Sequence, residues 1–135
     1  MVGKLIPHKM LRQDTFSQWL GIQIIDVKLG YCKVGLTIRK DMLNSMGYAH
    51  GGIAYDLADT AFGFAANTHG SFAVTIESSI NHIEALNEGD YIEAESVIKK
   101  TKSKLGFKIV EVKHGDELVA LFKGVVYRTS KKWKE

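Results

Sequence analysis

The sequence predicts an α+β fold in which one long central helix is wrapped by an antiparallel sheet of five to six strands. Two observations predict this fold. Residues 53–67 have the apolar composition of a buried helix, and most of the remaining chain alternates between apolar and polar residues with a period of two, as strands do. Short turns join the strand-like segments, which is typical of antiparallel neighbours.

The length and composition indicate a globular protein built as one domain. The 135 residues are 45% hydrophobic and 24% charged, whereas a disordered chain has low hydrophobicity and high net charge. No repeat or linker interrupts the sequence, so we expect a single domain over residues 1–135. Because there is no apolar run of about 18 residues and no signal region in residues 1–7, we expect a cytoplasmic protein with no membrane partner.

Charge, cysteine and histidine patterns exclude several classes of function. The net charge is only +3 and no recognition motif accompanies the basic residues, so we expect no nucleic-acid partner and a solvated tail at residues 131–134. The single cysteine, Cys32, excludes a disulfide framework and is expected to be buried, because it alternates in phase with apolar neighbours. The five histidines have no metal-ligand spacing, so we expect no metal and no cofactor.

The first predicted elements are a short helix and a pair of strands. Residues 10–20 are predicted to be helical, with Asp14 or Thr15 as the N-cap and Gly21 as the C-terminal stop. The apolar face of this helix comprises Phe16, Trp19 and Leu20. The period of two then predicts paired strands at residues 22–29 and 32–39.

The central helix is the strongest element of the prediction. Ten of the fourteen residues from Ile53 to Ala66 are apolar, and at 100° per residue they cover an arc of about 220°. The polar side chains, among them Asp59 and Asn67, fall outside this arc or at its border. An apolar arc this wide predicts that other elements surround the helix.

Four strands are predicted after the helix, each antiparallel to the next because the connecting loops are short. They are residues 72–82, 91–100, 105–113 and 118–128. The last strand is apolar on both faces. One face is expected to cover the helix, and the other to meet a second subunit.

The glycine pair before the central helix is the first candidate for chemistry. A ligand can approach the amides of Gly51 and Gly52 closely, and unpaired N–H groups at a helix N-terminus favour negative charge. Such a position can stabilise the oxyanion that forms when a carbonyl is attacked. The alternative is a tight turn into the helix, which local sequence alone favours, with His50 as a packing residue.

Asp59 is the second candidate. It follows Gly51 by eight residues, which is about 12 Å along a helix. One chain therefore cannot bring both groups to one carbonyl, whereas two antiparallel helices in a symmetric dimer can. The alternative is that Asp59 and Asp56 belong to a solvated face.

The motif around these residues resembles a known family. Asn44-x-x-Gly47-x-x-His50-Gly51-Gly52, followed by an aspartate nine positions after the histidine, resembles the hotdog-fold acyl-CoA thioesterases of the phenylacetate-pathway (PaaI) type. The resemblance extends over roughly residues 10–130 and implies hydrolysis of an aryl- or medium-chain acyl-CoA to a carboxylate and free CoA. It further implies a homodimer as the catalytic unit, and the doubly apolar last strand suggests a tetramer.

The resemblance also implies roles for individual residues. The Gly51 amide would polarise the thioester carbonyl beside Gly52, and Asn44 and His50 would shape the loop. Asp59 of the partner chain would be a general base or a nucleophile. Thr75 would orient the water, whereas Glu77 and Asn81, expected on the same strand face, receive no role.

The chain departs from the family pattern at two places. Residues 82–85 stand where family members often have a proline, at the wall of the acyl pocket. Residues 101–104 replace a turn that contains glycine in relatives. There Lys102 and Lys104 would either meet the phosphates of CoA or lie on a solvated hairpin tip.

Two other functions remain open at this stage. A 3-hydroxyacyl thioester dehydratase or hydratase of the same fold would use a different acid–base arrangement. A hotdog-fold acyl-CoA binding or sensing module has little reason to place Asp59 near a thioester.

Overall fold

A single antiparallel sheet of six strands and one long helix make up most of the computed structural model, which describes residues 2–134. The helices are α1 (Val2–Gln13), α2 (Thr15–Leu20) and α3 (Gly51–Asn67), with a 3₁₀ turn at Lys40–Met42. The strands are β1 (Gln23–Lys28), β2 (Tyr31–Thr37), β3 (Ser71–His82), β4 (Tyr91–Val97), β5 (Leu105–His114) and β6 (Glu117–Lys132). The α+β fold with a wrapped central helix is confirmed.

Helix α3 is the core of the fold, as its apolar arc predicts. It packs against strands β2 to β6, and nine of its fourteen residues from Ile53 to Ala66 are buried. The Phe62 ring contacts Phe122 with centroids 5.8 Å apart. It also covers Gly124, where an added Cβ would lie 2.6 Å from the ring. Only glycine fits there, because β6 passes so close to the helix. Cys32 is buried as predicted.

The N-terminal helix differs from the prediction. Instead of one helix over residues 10–20, the chain forms α1 and α2, which are separated at Asp14. The carboxylate of Asp14 caps α2 by accepting hydrogen bonds from the Ser17 amide (3.0 Å) and hydroxyl (2.6 Å), so a capping residue inside the predicted segment starts a second helix. Gly21 ends α2 in the left-handed conformation as predicted. Of the expected apolar face, only Leu20 is buried, whereas Phe16 and Trp19 are exposed.

The strand order corrects the expectation that each strand pairs with the next. The order is β1-β2-β4-β5-β6-β3, so β3 and β4 are not neighbours. The segment between them attaches to the end of β2, where the Ile38 amide donates to the Asp90 carbonyl and the Gly89 amide donates to the Ile38 carbonyl. Strand β3 therefore lies at one edge of the sheet and β1 at the other.

The C-terminal tail corrects the expectation of a solvated segment at one residue: Lys131, Lys132 and Lys134 are exposed as expected, whereas Trp133 is docked. Trp133 stacks on Phe72 with ring centroids 4.1 Å apart and donates from Nε1 to Asn67 Oδ1 at 2.8 Å. Asn67 is itself buried although the arc placed it on the polar side, because its amide also bonds the backbone of Gly63 and Ala73. A polar side chain can be buried when its hydrogen bonds are made. No helix in the described part of the chain is both long and apolar enough to span a membrane.

Candidate active site

The loop that leads into α3 is built around Asn44. The side-chain oxygen of Asn44 accepts from the amides of Met46 (2.9 Å) and Tyr48 (3.2 Å). Gly47 takes the positive φ of 85° that the turn requires. Asn44 therefore sets the path of the backbone toward His50.

His50 is the N-cap of α3, and its ring caps the Gly52 amide but not the Gly51 amide. The His50 ring accepts at Nδ1 from the Gly52 amide at 3.4 Å. Its own amide donates to the Met42 carbonyl at 2.8 Å. Gly51 is exposed, and within residues 2–134 its N–H has no hydrogen-bond acceptor. Gly51 thus offers the free donor at the positive end of the helix dipole, while the Gly52 donor is already used.

Asp59 lies two turns further along α3 and is held by Thr75. The Thr75 hydroxyl donates to Asp59 Oδ1 at 2.7 Å. Burial raises the pKa of Asp59 above its usual range, and the Thr75 hydrogen bond acts in the opposite direction. The pKa of Asp56 is also raised, by burial and by the negative charge of Asp59. A half-buried carboxylate of raised pKa suits proton transfer.

A β-bulge decides which residues of β3 face the helix. The register shifts between Thr75, which pairs with the buried Val126, and Glu77, which pairs with Val125. Thr75 therefore points toward α3 and Glu77 points to the outer face. The expectation that Glu77 and Asn81 share the face of Thr75 is wrong, because one extra residue in a strand exchanges the two faces.

The two lysines lie at the opposite end of α3 from the glycines. Lys102 and Lys104 line a cleft of ≈ 200 Å³ together with Arg128 and with His69, which follows the C-terminal end of α3. The helix has 17 residues and is therefore about 25 Å long. Within one chain, the cleft lies too far from Gly51 for both to contact one small group.

Two residues of these clefts were not singled out as functional by sequence reasoning. His82 ends β3 and lines a cleft of ≈ 280 Å³ with Asn44 and His50. Arg128 lines the lysine cleft and donates to the carbonyls of Ser103 (3.0 Å) and Lys99 (3.3 Å). The sequence carries no signal for the Arg128 contacts, because they join residues more than 20 positions apart. Within residues 2–134, no cluster of three His, Cys, Asp or Glu side chains could hold a metal ion.

Comparison with known proteins gives a consistent result. The family model of the thioesterase superfamily matches residues 46–121. A putative esterase of Archaeoglobus fulgidus is 38% identical over 90% of this chain and 79% of its own length. The Escherichia coli acyl-coenzyme A thioesterase PaaI is 34% identical over 90% of this chain and 87% of its own length.

Solved structures extend the comparison to the fold. The structure of E. coli PaaI, from the phenylacetic acid degradation operon, has a TM-score of 0.87 at 32% identity, covering 93% of this chain and 91% of that chain. A Streptococcus mutans protein bound to acetyl CoA has a TM-score of 0.76 at 25% identity, covering 83% of this chain and 91% of that chain.

Proposed function

This chain belongs to the thioesterase superfamily, and on that premise we propose that it hydrolyses the thioester of an aryl- or medium-chain acyl-CoA to a carboxylate and free CoA. The observation that carries the proposal is the half-buried Asp59 carboxylate held by Thr75 on the same helix that presents the free Gly51 amide. A carboxylate base and an oxyanion donor are the two groups that thioester hydrolysis needs. Residues 1–135 act as one thioesterase domain in this proposal.

On the carbonyl side, the Gly51 amide donates a hydrogen bond to the thioester oxygen. This assignment is supported by the amide's position in the first turn of α3 and by its lack of an acceptor within residues 2–134. Asn44 and His50 hold the loop that presents it. Gly52 contributes by having no side chain, so that substrate can approach the backbone.

On the attacking side, Asp59 either removes a proton from water or attacks the carbonyl carbon itself. Thr75 supports both routes, because its hydroxyl holds the carboxylate and lies where it can orient a water molecule. The two routes differ in whether an acyl-enzyme anhydride forms. Single-turnover hydrolysis in ¹⁸O-labelled water tests this. The general-base route places one ¹⁸O in every product, whereas addition of water to the aspartyl carbonyl of the anhydride breaks the bond between that carbon and the bridging oxygen, so the first product carries only unlabelled oxygen, one atom from the thioester and one from Asp59.

A homodimer is proposed as the catalytic unit, with Gly51 from one protomer and Asp59 from its partner. Strand β3 is an edge strand of 12 residues, and an uncovered edge of this length is a template for pairing with another chain. Asp59 contacts this same strand through Thr75. Pairing of two β3 edges about a twofold axis would place the α3 helices antiparallel, which is the arrangement that a shared site requires.

The outer face of the sheet supports a further association into a tetramer. Phe107 is 70% exposed and Ile109 is 58% exposed on β5, and Val125 lies beside Phe107 on β6. Large apolar side chains grouped on a surface mark an interaction site. Light scattering tests this association: Phe107→Asp should reduce a tetramer to a dimer, and an unchanged mass would contradict it.

The lysine cleft is proposed to receive the phosphates of CoA. Lys102 and Lys104 are exposed at its rim, and no carboxylate is among the described residues that line it. Arg128 fixes the loop through its bonds to backbone carbonyls. The cleft adjoins Ser71, the first residue of β3, and Thr75 follows four residues later, about 13 Å along the strand. An extended pantetheine arm can bridge a separation of that order.

The cytoplasmic location stays a prediction.

The proposed reaction is tested by thiol release from a panel of aryl- and acyl-CoA thioesters. Asp59→Asn should lower kcat by about 10²- to 10⁴-fold while leaving the oligomer intact. Full activity of this variant would overturn the role of Asp59. Binding of acyl-CoA without thiol release by the wild-type protein would favour the binding module instead, and loss of enoyl absorbance without thiol release would favour the hydratase.

Mixed dimers test the shared site. Asp59→Asn and Gly51→Pro each disable one half of the site, since proline has no N–H and is tolerated at the first position of a helix. Co-expressed chains should recover about a quarter of the wild-type rate, because half of randomly assorted dimers are mixed and each has one complete site of two. No recovery, with mixed dimers present by mass spectrometry, would contradict a site shared between protomers.

A further inference from the structure

We infer that His82 is a second hydrogen-bond donor to the thioester carbonyl, acting beside the Gly51 amide of the same chain. The inference rests on the proposed hydrolysis, and it adds to the motif a residue that sequence reasoning placed only in the wall of the acyl pocket. It follows from the position of the imidazole ring at the N-terminal end of α3.

Leaving aside the chain neighbours His50 and Gly52, the His82 ring is the nearest group to a Cβ built onto Gly51. A Cβ atom built onto Gly51 would lie 3.1 Å from His82 Nε2 and 3.4 Å from Cε1. His82 is the last residue of β3 and pairs with the buried Ala120, so its side chain is on the inner side of the sheet. The strand therefore aims the ring tip at the first residue of the helix.

The distances allow one oxygen to accept from both groups. The Gly51 amide nitrogen is about 2.5 Å from the position of that Cβ, given standard backbone dimensions. It is therefore at most about 5.6 Å from His82 Nε2. A carbonyl oxygen accepts along lone pairs that lie about 120° apart, so two donors at about 2.9 Å each lie about 5.0 Å from one another, which is below this upper limit. A carbonyl bound to Gly51 is thus within hydrogen-bond reach of His82.

His82 differs from Asn44 and His50, which line the same cleft, because its side chain does not hold the loop backbone. The Asn44 side-chain oxygen accepts from Met46 and Tyr48, and His50 Nδ1 accepts from Gly52. His82, by contrast, makes no side-chain hydrogen bond to any of residues 2–134 and is exposed to the cleft. Its ring is therefore available to a ligand at no cost in internal hydrogen bonds.

The step assigned to His82 is charge stabilisation without proton transfer. When water or a carboxylate adds to the carbonyl carbon, the π electron pair moves onto the oxygen. The N–H groups of Gly51 and His82 then share that negative charge. When the pair re-forms the C=O bond, the C–S bond breaks and the thiolate of CoA leaves. The imidazole keeps its proton throughout.

Three substitutions at His82 separate a donor from a merely structural residue. His82→Phe keeps the ring shape without a donor, His82→Ala removes both, and His82→Gln keeps an N–H group on a flexible chain. We expect Phe and Ala to lower kcat by about 10- to 100-fold, which is at or below the cost of removing an oxyanion donor, with KM changed less than about twofold. Gln should recover most of the loss. A Phe variant with wild-type kcat, or one in which only KM rises, would overturn the inference.

A second measurement does not depend on turnover. In the Asp59→Asn background, the infrared stretching frequency of a ¹³C-labelled thioester carbonyl reports the hydrogen bonds to its oxygen. It should rise when His82→Phe is added, because one donor is lost. An unchanged frequency would overturn the inference even if the protein hydrolyses thioesters. A shift in a protein that binds thioesters but never releases thiol would support the His82 contact and refute the proposed function.

Discussion

At its N-terminal end helix α3 leaves a backbone donor open to solvent, whereas at its C-terminal end the polar groups are bonded to neighbouring elements. Gly51 is exposed and its amide has no acceptor within residues 2–134. Asn67, at the other end, makes hydrogen bonds to Gly63, Ala73 and Trp133 while fully buried. The open end suits chemistry and the closed end suits stability, so substitutions at the two ends should affect different properties.

The largest effect is expected from removing the open donor. Gly51→Pro should lower kcat by about 10²- to 10³-fold, because it deletes the N–H that faces the developing oxyanion. The control is Gly51→Ala, which keeps the amide but adds a Cβ 3.1 Å from His82 Nε2; both variants are therefore compared in the His82→Ala background, which removes the ring that the Cβ would displace. Steady-state thiol release measures both. If the two variants lose activity equally, the Gly51 amide is not the donor. The N-terminal end of α3 would then have no catalytic role that distinguishes it from the C-terminal end.

The closed end should show the reverse behaviour. Asn67→Ala leaves the Ala73 amide and the Trp133 indole N–H without acceptors, which should cost about 2–4 kcal/mol and lower Tm by about 10 °C. The kcat of the folded protein should be unchanged. Trp133→Phe is the matched milder variant: it keeps the stacking on Phe72 and loses one hydrogen bond, for about 1 kcal/mol. A fall in kcat without a fall in Tm would contradict this division.

The lysine cleft tests whether the C-terminal end also takes part in binding. The double variant Lys102→Ala/Lys104→Ala should raise KM for acyl-CoA by up to about 30-fold, since exposed ion pairs contribute up to about 1 kcal/mol each and a factor of ten corresponds to about 1.4 kcal/mol. The same acyl group on pantetheine, which lacks the nucleotide phosphates, should show no change. Added salt should reduce the difference. Equal effects on both substrates would leave the C-terminal end purely structural.

The smallest effect is expected in the pH dependence of stability. The pKa of Asp59 is raised in the folded chain, so the fold favours its protonated form. That stabilisation is fully present below the ordinary pKa of 3.8 and is lost as the pH rises through the raised value. Asp59→Asn should therefore melt a few degrees higher than wild type near neutral pH, and the gap should close toward pH 4. A difference in Tm that does not change with pH would contradict the raised pKa of Asp59 as its cause.

Local patterns predicted the elements of the fold but not their partners. The apolar arc from Ile53 to Ala66 identified the core helix, and the stop at Gly21 was correct, because both depend on neighbouring residues. The pairing of β3 with β6 and the burial of Asn67 depend on contacts between distant segments. No periodicity within one segment contains that information.

The residues of the candidate site were named from the sequence, and their roles stay predictions. Gly51 and Asp59 were candidates from helix geometry, and the family resemblance added roles for Asn44 and His50. The contact of Asp59 with Thr75 is a finding of the structure. The outward direction of Glu77 and the contact of His82 with Gly51 were not predicted. Both follow from the bulge between Thr75 and Glu77, which leaves no mark on the alternation of a single sequence.

Thr75 and His82 are separated by seven positions, an odd number, so on an ordinary strand they would project in opposite directions. The inserted residue at position 76 cancels this parity, so both side chains lie on the inner side of the sheet, where Thr75 contacts Asp59 and His82 lies beside Gly51. Deleting Ile76 should turn either Thr75 or His82 to the outer face of the sheet, although both residues would still be present in the chain. The common direction of the Thr75 and His82 side chains thus depends on one exposed residue between them, Ile76.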